Sequence, residues 1–482
     1  MLTSFAVESP LTGFGAGGFM LVHTGDEDVV LDFFVEVPGR GGAARRSDLV
    51  PVSVRFDETL QVFNIGAASC GVPGTAAGLW EALERFGSVP MAELIEPAVR
   101  YARDGVAVSS MQAYLFTVLE PILVEYHETR ELYAPEGRIL GEGETFRFPD
   151  LAAALERYAG EGPEPFYRGD IATAIADWVS ERGGTLGADD FAAYEPHSHE
   201  PIRARFGGRE VLTNPPPSSG GILISLCLEL LERLGSSSVE DVVAAIGEAN
   251  RSRGEDFHAG LYDPDYPRRF LNSGRLDRLA AELRAGGGEL GDARRAPGGS
   301  GSTTHLTAVD ADGCCASVTC SNGTGSGMLV PGTGVHVNNM LGEEDLNPLG
   351  FHALPPGRRM TSMMAPAVVL RDGELEAGLG SGGSNRIRSA VLQVILRLVA
   401  DGLDAHDAVD AGRVHFEEGV VQAEPGVDEA ALARLEARGI TVARWRRRNL
   451  YFGGAQTVAR NPATGELAGG GDPRRGGAVA IA

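Results

Sequence analysis

The run Gly301-Ser302-Thr303-Thr304-His305-Leu306-Thr307-Ala308-Val309-Asp310 constrains this chain more than any other. A stretch rich in glycine and serine, which reads as a flexible approach, leads directly into an alternating strand whose first residue is a threonine. A threonine hydroxyl is a weak nucleophile unless a base lies beside it. If the chain is cut just before the threonine, the freed α-amine supplies that base, because it titrates near neutrality. The downstream residues extend the pattern. Asp310-Ala311-Asp312-Gly313 is a turn signal, and Cys314 to Cys320 reads as a second strand. Paired residues in an antiparallel hairpin have numbers that sum to a constant, so a two-residue turn places Thr303 opposite roughly 320 to 322. Ser321 and Asn322 are therefore expected where they could hydrogen-bond a new amine at Thr303.

Taken together, these residues predict an N-terminal nucleophile hydrolase that cleaves itself between Ser302 and Thr303. The plainer reading of the same residues is a linker followed by a hairpin with polar ends.

The longer pattern resembles the γ-glutamyltranspeptidase family, also called glutathione hydrolases. The resemblance rests on Gly13-Phe14-Gly15-Ala16-Gly17-Gly18-Phe19-Met20, Val72-Pro73-Gly74-Thr75, Phe166-Tyr167-Arg168-Gly169 and Pro215-Pro216-Pro217-Ser218-Ser219-Gly220-Gly221. It continues through Thr303-Thr304-His305, Pro331-Gly332-Thr333-Gly334, Asn338-Asn339, Thr361-Ser362-Met363 and Gly380-Ser381-Gly382-Gly383. These motifs follow one another in the family's order over nearly the whole chain. The resemblance implies an α/β (α+β) fold, a four-layer αββα sandwich. It implies a large part, 1–302, and a small part, 303–482, that stay together as one structural domain and a heterodimer of the chain's own fragments. It also implies Thr303 as nucleophile, Gly382 and Gly383 as the oxyanion hole, and acyl transfer from a small-molecule amide to water or an amine, with no cofactor. His305 follows the nucleophile in the family without being its base.

The glutamyl-binding residues depart from the family. An arginine that grips the substrate α-carboxylate follows an Asp-Phe pair in the family, whereas Asp32-Phe33 is followed here by Phe34. A phenyl ring cannot make the bidentate contact of a guanidinium. The family follows Asn-Asn with Gln or Glu and then Asp, which hold the α-amine. Here Asn338-Asn339 precedes Met340-Leu341-Gly342-Glu343-Glu344, which leaves Glu343 as the acid, with Asn339 beside it. Thr361-Ser362 keeps the hydroxyls of the family's Ser-Ser pair. Arg40 and Arg358 are the arginines considered as replacements. The expectation is a γ-glutamyltranspeptidase-like amide hydrolase. The alternatives are an amidase of cephalosporin-acylase type with non-glutamyl specificity, and an unprocessed binding protein.

Composition removes other classes. The net charge of −24 disfavours nucleic acid and anionic membranes as partners. All 42 basic residues are arginine, so a P-loop, a pyridoxal Schiff base and a Ser-Lys dyad are excluded. No apolar run is long enough for a membrane span. Five cysteines without a CxxC pattern argue for buried packing over disulfides or zinc. Gly13, Gly15 and Gly18 fit GxGxxG, but a strand pattern follows where a dinucleotide site needs a helix, so a structural turn is expected. His197-Ser198-His199-Glu200, set between prolines, reads as a surface turn, not a metal site. No metal ligand is assigned.

Met1 to Phe5 lacks the basic start and apolar run of a signal peptide, so the chain as written reads as cytoplasmic. Family members are often exported. The family places several dozen residues, including a core helix, before the segment ending near Val7-Glu8-Ser9-Pro10. Their absence implies a misassigned start or a truncated chain.

Patterning predicts strands at Phe19–His23 and Val29–Val35, helix from Gly74 to about Asp104, and mostly helix over 110–190. It predicts one strand at Arg203–Asn214 and a buried helix at Ile222–Leu234. It predicts a strand at Leu375–Leu379 and a helix from about Ser384.

Overall fold

A computed structural model of the protein describes residues 1–42, 44–56, 59–286 and 303–481. Eleven strands build its two main sheets and are numbered here in chain order. They are β1 (Gly17–His23), β2 (Asp28–Phe33), β3 (His197–His199), β4 (Ile202–Phe206), β5 (Arg209–Thr213), β6 (Thr304–Val309), β7 (Cys315–Ser321), β8 (Ala367–Arg371), β9 (Glu374–Gly382), β10 (Gly454–Arg460) and β11 (Leu467–Gly471). The first sheet runs β6-β7-β1-β2-β3 and the second β11-β10-β9-β8-β5-β4, with every pairing antiparallel.

The sheets stack face to face, and helices cover both outer surfaces. The αββα layering is what the sequence resemblance implied. Strand alternation explains it. On β1 and β2, Phe19, Leu21 and Val30 belong to the core between the sheets and against the second helical layer. Val22, Val29, Leu31 and Phe33 join the core under the first helical layer, which includes α1 (Thr75–Phe86) and α2 (Glu96–Asp104). On the far side, α3 (Ser219–Leu234) and α4 (Arg386–Val399) cover the second sheet, and twelve of the sixteen α3 residues are buried. Both sheets draw strands from each side of residue 303.

Several boundaries differ from the sequence reading. The strand expected at Arg203–Asn214 is two strands. Gly207 and Gly208 both adopt positive φ, 57° and 72°, and turn the chain as a tight hairpin. The helix expected over 74–104 is three segments, because Pro90 and the Ile95 junction break it. His197–His199 is an edge strand paired with β2, not a turn. The strand expected at Leu375–Leu379 runs to Gly382, held by β10 through the Gly382–Gly454 pair, and α4 starts only at Arg386. The chain turns through Gly13–Ala16 into β1, which opens with Gly17 and Gly18, and a Cβ on Gly15 would overlap the His336 carbonyl. Among the described residues no helix is long and apolar enough to cross a membrane. The five cysteines are unpaired, and four of them are buried.

Candidate active site

Thr303 is buried at the start of β6. The hairpin register pairs Thr304 with Cys320, which sets Thr303 against Ser321, within the predicted window. The Thr303 hydroxyl lies 3.4 Å from Ser321 Oγ, and that oxygen accepts from the Gly323 N–H at 2.8 Å. The bond expected to break joins Thr303 to Ser302, which lies outside the described residues.

Alternation on β7 decides which predicted partner reaches Thr303. Ser317 donates to the Leu379 carbonyl in the second sheet at 2.9 Å, Thr319 bonds His305 at 2.8 Å, and Ser321 meets Thr303. Val318 and Cys320 point the other way, into the first helical core. Asn322, the other expected partner, makes no side-chain hydrogen bond to Thr303 among the described residues. Its buried amide has no hydrogen-bond partner at either atom, while its backbone is pinned to Leu11 and Asn339.

The second sheet meets β6 through a glycine stripe on β9. A Cβ on Gly382 would overlap the Thr303 carbonyl oxygen, one on Gly380 the His305 ring, and one on Gly378 would lie 2.8 Å from Thr307 Cγ2. Three glycines at period two thus let β6 settle directly on β9, with Thr303 against Gly382. Gly383 follows with φ +127°, backbone that L side chains rarely adopt. Ser384 then takes a left-handed φ of 52° and donates its hydroxyl to the Asp345 carboxylate.

His305 is no base for Thr303. Its ring nitrogens engage Thr319 and Thr307 at 2.8 and 2.9 Å, and burial pulls its pKa down to about 3.

Beside Thr303 lies a small cavity of about 30 Å³, with walls that include Phe34, Met340, Ser362, Met363 and Met364. Glu343 and Asp345 supply its charged lining. The sequence reading named Glu343 but not Asp345, which the short 3-10 turn Glu344–Leu346 brings to the same wall. The Glu343-Glu344-Asp345 run was its only signal. Phe34 is fully buried, with its ring stacked on Phe19 at 5.3 Å. Neither arginine considered as its replacement lines the cavity. Arg40 pairs with Glu36 at 2.9 Å, and Arg358 lies over Tyr262.

Asn339 stands behind Glu343. Its amide oxygen accepts from the Thr324 N–H at 2.8 Å, its amide nitrogen donates to Thr324 Oγ1 at 2.8 Å, and Thr324 N–H also reaches Glu343 Oε1 at 3.0 Å. Ser362 lines the cavity, whereas the Thr361 hydroxyl is spent on the Leu346 carbonyl at 3.2 Å.

Burial and the adjacent Asp345 carboxylate push the Glu343 carboxyl from its ordinary 4.5 up to about 8. Between those values the folded protein holds a proton that the unfolded chain has lost. Stability should therefore fall as pH rises through that window. Glu343→Gln, uncharged throughout, should flatten that part of the Tm–pH curve. Parallel curves for the two proteins would contradict this burial argument.

Among the described residues, one group has the spacing of a metal site: Asp404, His406 and Asp407, all exposed. Asp404 caps the six-residue helix Ala405–Asp410 by accepting from the Asp407 N–H at 2.8 Å, which accounts for its placement.

The γ-glutamyltranspeptidase family model matches residues 1–482. The chain is 32% identical over 468 residues to the acylase ACY 1 proenzyme of Pseudomonas sp. (strain SE83), covering 94% of this chain and 83% of that protein. It is 31% identical over 501 residues to the glutathione hydrolase proenzyme of Escherichia coli (strain K12), covering 98% and 84%. The crystal structure of cephalosporin acylase from Bacillus halodurans superposes with a TM-score of 0.81 at 26% identity, covering 99% of this chain and 89% of that one.

Proposed function

The chain belongs to the γ-glutamyltranspeptidase family, and from that premise we propose that it matures by cutting its own backbone at Ser302–Thr303 and then hydrolyses or transfers acyl groups through an acyl-Thr303 intermediate. In the uncut chain the Thr303 nitrogen is an amide and cannot act as a base. Thr303 Oγ attacks the Ser302 carbonyl, the acyl group shifts from nitrogen to oxygen, and water releases fragments 1–302 and 303–482. The freed α-amine then takes the Thr303 hydroxyl proton as Oγ attacks a substrate amide. Gly382 and Gly383 N–H groups hold the oxyanion, the amine leaves with a proton, and water or an amine takes the acyl group from Thr303. Ser321 orients the nucleophile.

The observation that carries this reading is the close seat of Thr303 on Gly382, with Ser321 Oγ 3.4 Å from its hydroxyl, at the edge of the cavity. The proenzyme names of the relatives accord with it. Because each sheet takes strands from both fragments, the pieces should stay associated after cleavage. The two relatives' names, glutathione hydrolase and acylase, support an amide as the substrate of this chain. Phe34 and Met340 favour the acylase end, since burying a carboxylate without a partner costs several kcal/mol.

The test is intact-mass spectrometry of fresh and aged protein with an acyl-trapping electrophile. Two fragments with the label on Thr303 are expected. Fully processed protein that takes no label would favour a binding protein that kept the fold without the chemistry.

A further inference from the structure

The turn that carries the proposed oxyanion donors has little of its own to hold its shape. Gly382 ends β9 in a pair with Gly454, and α4 begins only at Arg386. Between them Gly383 takes φ +127° and Ser384 a left-handed φ of 52°. Glycine visits such backbone freely, but serine does so only against a steric penalty. The N–H groups of Gly383 and Ser384 have no acceptor among the described residues, so no backbone bond of their own fixes them. A residue outside the turn must hold Ser384 where it is.

The Ser384 hydroxyl supplies the tie, because it donates to the Asp345 carboxylate. Asp345 stands on the short turn Glu344–Leu346, which is itself fastened. The Asn347 amide nitrogen donates to the Met340 and Glu343 carbonyls at 2.9 and 2.8 Å, and the Thr361 hydroxyl donates to the Leu346 carbonyl at 3.2 Å. Two further groups bound the glycine turn. Arg475 packs on it, with guanidinium nitrogens 3.3 and 3.6 Å from where Cβ atoms of Gly382 and Gly383 would lie. Asn385, back in right-handed backbone, donates to Glu417 at 3.0 Å and fastens the start of α4. Neither of these reaches the Ser384 hydroxyl, which is held by Asp345.

We infer that Asp345 is a positioning residue for the acyl transfer. Through Ser384 it holds the Gly382 and Gly383 N–H groups where the oxyanion forms, and it acts without touching the substrate. The inference rests on the proposed function and adds a working part to that site. The hydrogen bond asks Asp345 for an acceptor oxygen and not for a charge, so an amide can replace the carboxylate. A carboxylate that gripped a substrate cation would need its charge and would matter only for cationic acyl groups.

Three p-nitroanilides separate the two roles on mature protein. The 4-aminobutyryl compound carries a cation, butyryl no charge and glutaryl an anion. Asp345→Ala and Ser384→Ala should each lower kcat at least about tenfold for all three with KM little changed, since complete loss of one oxyanion donor costs about 10²–10³. The double variant should be no slower than either single one, because both break the same bond. Asp345→Asn should stay within about threefold of wild type, as its amide oxygen still accepts from Ser384. A kcat loss confined to the 4-aminobutyryl substrate, additive losses in the double variant, or an Asp345→Asn protein as slow as Asp345→Ala overturns the inference and leaves the acyl-Thr303 chemistry standing. Wild-type protein inert towards all three overturns the proposed function, and the inference with it.

Gly382 also seats the Thr303 carbonyl, so an alanine variant that folds but stays uncut is scored on self-cleavage. Uncut alanine variants beside a cut Asp345→Asn protein uphold the inference. An Asp345→Asn protein that folds and stays uncut overturns it.

Discussion

Thr303→Ala protein should remain one polypeptide on a denaturing gel under conditions where the wild type resolves into 1–302 and 303–482. The substitution removes the attacking hydroxyl and changes little else, since Thr303 packs at the start of β6 and its hydroxyl meets one oxygen among the described residues, Ser321 Oγ. Without cleavage the nitrogen of residue 303 stays an amide. Both the nucleophile and its base are lost together, so amidase activity should drop by at least about 10³-fold, as when members of a catalytic unit are removed. Thr303→Ser keeps the hydroxyl and should still be cut. Cleavage of the alanine variant at the wild-type rate would rule out Thr303 as the agent.

Gly382→Ala should have the second largest effect. A methyl there collides with the Thr303 carbonyl oxygen and lies 3.3 Å from an Arg475 guanidinium nitrogen, so β6 and β9 must separate. Residue 382 is also the proposed oxyanion donor, and losing one such donor costs about 10²–10³ in kcat. Displacing the nucleophile as well should delay self-cleavage. Time-resolved gels and kcat on the cleaved fraction measure the two effects apart. Gly373→Ala is a control without the contact: a Cβ there meets nothing within 4 Å, and its φ of +87° strains an alanine in a way that Gly382, outside the positive-φ region, does not. Equal behaviour of the two variants would mean that the contact with Thr303 does not set the outcome.

Much of the site was legible because the rules that place it are local. The turn at Asp310–Gly313 and a constant residue sum set Thr303 against Ser321. The same alternation puts Ser317, Thr319 and Ser321 on one face of β7, but which face meets the second sheet is a phase that only the fold sets. Strand ends were less legible. The strand expected to end at Leu379 continues through Gly380 to Gly382 because β10 supplies partners and β6 needs the room.

The sequence by itself determined the hairpin that opens with Thr303, its partner Ser321, the glycines approached by that strand, and the family to which the chain belongs. Each follows from pairing arithmetic, from residues without a Cβ, or from motif order along one dimension. Only the tertiary structure decided that Asp345 and Ser384 stand at the cavity with Glu343, that Asn339 and Thr361 spend their polar groups on the scaffold, and that Arg40 and Arg358 are held away. Those outcomes depend on how loops remote in sequence fold over one another. A side chain's charge is visible in one dimension, but the partner that neutralises it, or fails to, is set in three.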